Sequence, residues 1–66
     1  MKVVESERTL RVETEYFIAE AVWRKIYGVW SCFQASKVIR WMVGQREQEA
    51  KVALLKMGAK WEWRKP

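Results

Sequence analysis

The sequence predicts a small α+β domain in which short N- and C-terminal strands flank two or three helices. Three observations predict it. Thr9 to Glu13 and Lys60 to Arg64 alternate apolar and charged residues, the period of a half-buried strand. Ala35, Val38, Ile39, Met42 and Val43 recur at the spacing of one helical face, as do Ala50, Ala53, Leu54 and Met57. Glycines at 28, 44 and 58 each follow a segment of helical character. Glycine just past a helix stops it, because it takes a positive φ with no Cβ clash.

The elements follow in order. Residues 1–7 are expected to form a loose lead-in, and Thr9–Glu13 the first strand. A helix is then expected over Thr14 to Tyr27. Thr14 suits the N-cap, Glu15 the first turn, and Arg24 and Lys25 the last turn, where cations meet the helix dipole favourably. A rival reading of the same stretch is a strand: Leu10, Val12, Thr14, Tyr16 and Ile18 alternate with Arg11, Glu13, Glu15 and Phe17. A hairpin would then need a turn near residues 19–21, which hold no turn-forming residue. Residues 8–33 are therefore strand–helix or hairpin, with the helix favoured.

Ser31-x-x-Gln34 has the capping-box pattern and opens the second helix. The third runs from Gln45 to Met57, with Glu47 and Lys51 as a favourable i,i+4 pair. One helix through Gly44 would span roughly 40 Å at 1.5 Å per residue, so a break at Gly44 is expected. Val52 and Leu55 lie off the main apolar face of the third helix. They are candidates for an interface, including a homodimer. Pairing the two terminal strands would lay Leu10, Val12, Trp61 and Trp63 over the helices.

Composition narrows the function. The 66 residues contain no histidine, one cysteine and five tryptophans, and all eight acids are glutamates. The common general base near neutral pH is missing, and so is any Cys/His set for zinc. Each glycine stands alone, without the cluster a phosphate-binding loop requires. No enzyme activity, metal or cofactor is expected. Cys32 reads as a small buried hydrophobe. Acids near the start argue against a signal peptide, and no run approaches the ~18 apolar residues of a membrane span. A single cytoplasmic domain, 1–66, away from membranes, is the simplest expectation. A domain this small buries about 60% of its unfolded surface. Tryptophan bulk is the natural substitute for a staple.

The net charge of +5 is uneven: residues 1–20 carry −2 and residues 21–66 carry +7. A basic body suits an anionic partner. Nucleic acid would be held by Arg24, Lys25, Lys37, Arg40, Lys60 and Arg64, with a tryptophan free to stack on unpaired bases. Gly44 could also serve as the turn of a helix-turn-helix, but Arg40 stands where the crossing helices want a small residue. An exposed tryptophan beside arginine is equally a protein-interface anchor. Trp23, Trp30 and Trp41, with Val52 and Leu55, are the candidates for that use. In load and lack of catalytic residues the chain resembles, in type, the small accessory proteins of phages and mobile elements. Two functions follow as expectations: a nucleic-acid-binding accessory or regulatory factor, or an inhibitor or adaptor docking on a host protein complex.

Overall fold

β-Branched and aromatic residues decide the first half of the chain against the helix. The computed structural model describes residues 4–64. Three strands, β1 (Ser6–Glu13), β2 (Ile18–Ile26) and β3 (Val29–Ala35), form an antiparallel meander. A 3-10 segment (Lys37–Met42), helix α1 (Glu47–Met57) and strand β4 (Lys60–Arg64) follow. β4 returns to pair with β1, giving one four-stranded sheet of order β3-β2-β1-β4. The expected pair of strands flanking two or three helices is thus replaced by a sheet carrying one α-helix.

The helix expected over residues 14–27 is β2 and its turns. The chain reverses at Thr14–Phe17, not at 19–21. There the Thr14 hydroxyl oxygen accepts the backbone N–H groups of Tyr16 and Phe17 at 3.1 and 3.2 Å, the local bonding by which threonine makes turns. The second reversal is Tyr27-Gly28, both at positive φ (52° and 76°). That is the two-residue turn whose twist matches a hairpin. Gly28 accepts the left-handed region as expected, but joins strands instead of ending a helix.

Ser31-x-x-Gln34 caps nothing, because it lies inside β3. The helical spacing of 35–43 becomes a 3-10 segment bent at Ile39 (φ −125°, ψ 25°). Without a first helix, no helix-turn-helix forms at Gly44. Ser6 and Glu7, expected in a loose lead-in, open β1. Residues 1–3 of that lead-in lie outside the described residues.

Three expected elements are present: the Thr9–Glu13 strand within β1, the third helix, and the Lys60–Arg64 strand. α1 spans Glu47–Met57. Its C-terminus closes with Gly58 at φ 71°, Gly58 N–H on the Leu55 carbonyl and Ala59 N–H on the Leu54 carbonyl, a Schellman motif. A Cβ at Gly58 would meet nothing within 4 Å, so strain there is purely backbone. Gly58→Ala is expected to cost about 1–2 kcal/mol, read as a lowered melting temperature with an unchanged spectrum. β4 pairs with β1 from Thr9↔Arg64 to Glu13↔Lys60.

Leu10, Val12, Ala19, Ala21, Trp23 and Cys32 face inward from the sheet and meet Ile39, Met42, Ala50, Leu54 and Ala59. A bulge in β3 leaves Phe33 unmatched between Cys32 and Gln34. The offset keeps both Cys32 and Ala35 on the inner face. Among the described residues no helix is long and apolar enough to cross a membrane.

Candidate functional site

Charge and exposure converge on the segment that joins β3 to α1. Its two ends are clamped. Ser36 donates its backbone N–H (3.0 Å) and its hydroxyl (3.1 Å) to the Glu20 carbonyl of β2. Eight residues on, Gly44 N–H bonds the Cys32 carbonyl, and Cys32 N–H bonds the Gln45 carbonyl. A 3-10 segment eclipses residues i and i+3, and the side chains sort accordingly. Ile39 and Met42 are fully buried. Lys37, Val38, Arg40 and Trp41, on either side of the bend at Ile39, are all exposed. The result is a ridge anchored by its apolar row, with cations and a tryptophan outward.

From Ser36 to Arg46 the ridge carries Lys37, Arg40 and Arg46 and no acid. None of the three is in an ion pair among the described residues. The acids that follow are occupied: Glu47 pairs with Lys51 at 3.2 Å, and the Glu49 carboxylate accepts Arg46 N–H at 3.0 Å. That last bond is half a capping box; arginine has no acceptor with which to return it.

The outer face of the sheet is different. Arg11, Arg24, Lys60 and Arg64 share it with Glu7, Glu13, Glu20 and Glu62 by strand alternation. Arg24 pairs with Glu7 at 2.8 Å and Arg11 with Glu13 at 3.2 Å. Arg24 also lies over the Phe33 ring, 3.7 Å from its centre. Four cations against four anions leave this face electrically balanced, and phosphate gains little from such a surface.

No family model, curated protein or solved structure matches this chain.

The structure divides the residues singled out from sequence. Arg24, Lys60 and Arg64 stand on the outer sheet face, whereas Lys37 and Arg40 stand on the ridge. Lys25 lies half-buried on the inner face of β2. The six cations therefore do not form one patch. Trp23 is fully buried and offers nothing to a partner. Trp30 is half-buried, and Trp41, at 38% exposure, is the most exposed tryptophan among the described residues. Val52 and Leu55 are exposed on α1, away from the ridge row.

Two arginines deserve a place that sequence reasoning withheld. Arg46 ends the ridge. Arg8 was overlooked. Its guanidinium sits between Trp30 (4.0 Å) and Trp63 (4.6 Å), and Trp63 meets Trp23 edge-on at 5.7 Å. Extending the alternation of Leu10 and Val12 back by two residues would have placed Arg8 on the inner face. There, cation–π contacts of about 0.5–2 kcal/mol each close the open end of the core. Arg8 Nε and Trp23 Nε1 are buried with no hydrogen-bond partner; for Arg8 the two ring faces offset part of the lost hydration.

Cys32 is buried as expected. Burial pushes its thiol up from 9.0 to about 11. The folded chain therefore keeps a proton that the unfolded chain releases between about pH 9 and 11, and stability falls across that window. We expect Cys32→Ala to flatten this loss in denaturant melts taken at stepped pH. Native Cys32 should also alkylate far more slowly than the unfolded chain at pH 8, since the thiolate is the nucleophile.

Proposed function

We propose that this chain is a small non-enzymatic accessory protein that binds nucleic acid along the ridge from Ser36 to Arg46. The observation that supports it is the run of three cations and no anion, clamped at both ends, around the most exposed tryptophan among the described residues. Lys37, Arg40 and Arg46 contact phosphates. Trp41 stacks on an unpaired base at the edge of the ridge. Phosphate contact releases condensed counterions, so affinity falls steeply with salt. A base on the indole adds about 1–3 kcal/mol with little sequence preference. The clamps matter because the backbone that carries these side chains is held in place before binding, which lowers the entropy cost of docking.

The test is a fluorescence titration with duplex and single-stranded nucleic acid at low and high salt, using wild type and Trp41→Phe. Quenching that weakens with salt and shrinks in Trp41→Phe supports the reading. No quenching at low salt overturns it.

A second reading rests on the exposed apolar side chains of Val38 and Trp41, with Arg40 next to Trp41 in the chain. That combination also fits a protein partner, with tryptophan as the anchor. It predicts binding that tolerates salt and is lost on Trp41→Ala.

A further inference from the structure

The sheet treats its two edges differently. The outer edge of β3 is covered at its middle by the chain itself: Gly44 and Gln45 bond Cys32, and Arg46 bridges to Ser31. β4 is the other edge strand, paired with β1 on one side. Among the described residues nothing pairs with its second side. An uncovered strand edge is a template for another strand.

We propose that the β4 edge docks against the same edge of a second copy of this chain, joining two sheets into one continuous antiparallel sheet. The argument is the charge pattern. Lys60, Glu62 and Arg64 share the outer face of β4, and Trp61 and Trp63 the inner face. Strands that extend one sheet place same-face residues opposite each other. If the two-fold axis passes through Glu62, the glutamates meet each other and Lys60 meets Arg64. Like charges directly opposite are unfavourable, and that register is rejected.

Displacing the register by two residues puts Trp61 on the axis. Lys60 then faces Glu62 twice, and the two Trp61 side chains meet on the inner face. Ala59, a small buried residue, falls opposite Trp63. This register pairs five positions, 59–63, within the described residues. A Trp63-centred register matches Glu62 with Arg64 but pairs three. Charged residues on edge strands usually hold copies apart; this alternation repels in one register and attracts in its neighbour. The contact is isologous, so it closes at two copies.

Sedimentation equilibrium over a concentration series tests the proposal. Wild type should rise from 7.9 kDa toward twice that mass. Lys60→Glu and Glu62→Lys each set like charges opposite and should stay at the single mass. An equimolar mixture of the two variants restores both opposite-charge contacts and should regain the double mass. Hydrogen exchange on wild type needs no variant: amides of β4 should slow as concentration rises. A wild type that keeps the single mass throughout, or β4 amides indifferent to concentration, overturns the proposal. So does a dimer that persists in both variants, which would lie on another surface such as the Val52/Leu55 side of α1.

Discussion

Trp23→Ala is expected to leave the chain unfolded at room temperature. Trp23 has no exposed surface and sits in the middle of the inner face, level with Arg8 on β1 and Cys32 on β3. Removing a buried tryptophan to alanine costs about 3–5 kcal/mol. A chain of this size has a total stability of roughly 3–10 kcal/mol. The loss spreads further, because the Trp23 ring abuts the Trp63 ring that in turn covers Arg8. Without it, the Trp63 ring that carries Arg8 borders a void. Trp23→Phe keeps most of the ring volume and should fold with a lowered melting temperature. Far-UV circular dichroism with a thermal ramp reads both variants. A Trp23→Ala chain that melts within a few degrees of wild type would show that the core does not depend on this ring.

Neutralising the ridge is expected to have the largest effect on binding. In Lys37→Gln/Arg40→Gln/Arg46→Gln, three phosphate contacts disappear at once. Each contributes about 1 unit to the slope of log affinity against log salt, so the slope should become shallower by about 3. The control is Arg24→Gln/Arg64→Gln, which removes the same kind of charge from the balanced outer face. That pair should leave the slope nearly unchanged. The triple variant should keep wild-type melting behaviour, because its three residues are exposed. The control loses the Arg24–Glu7 pair and the Arg24–Phe33 contact and should melt somewhat lower while staying folded at the titration temperature. Equal losses from the two faces would mean that net charge alone attracts nucleic acid, and the ridge would lose its claim.

The fold was legible where one period dominated. β4 and α1 could be read directly, since Trp61 and Trp63 alternate with charges and Ala50, Leu54 and Gly58 mark a helix face and its stop. The stretch from Thr14 to Ala35 carried both periods. Ala19, Ala21 and Trp23 face inward at strand spacing, yet Ala21, Val22, Lys25 and Ile26 also fit a helix. Neighbours across the two hairpins decided the matter, since β2 is held between β1 and β3. The 35–43 pattern misled for another reason. Ile39 and Met42 are three apart, which suits 3-10 and α spacing alike, and a bulge at Phe33 shifted the phase of what precedes them. For the site, Lys37, Arg40 and Trp41 could be named in advance. Which cations share a face could not, because that depends on strand register.

The position of β1 has a consequence for how the chain is made. β1 lies inside the sheet, yet one of its two neighbours, β4, is synthesised only after β2, β3 and α1. At 5–20 residues per second, about 2–10 seconds separate the end of β1 from the start of β4. Through that interval an interior strand behaves as a bare margin, and Leu10 and Val12 lack the two indoles that will cover them. The sheet is therefore complete only once β4 has been made, and its closure onto β1 is the slow kind that distant pairing imposes. A chain halted before Lys60 would keep α1 and the hairpins but expose an inner strand to whatever strand it meets first.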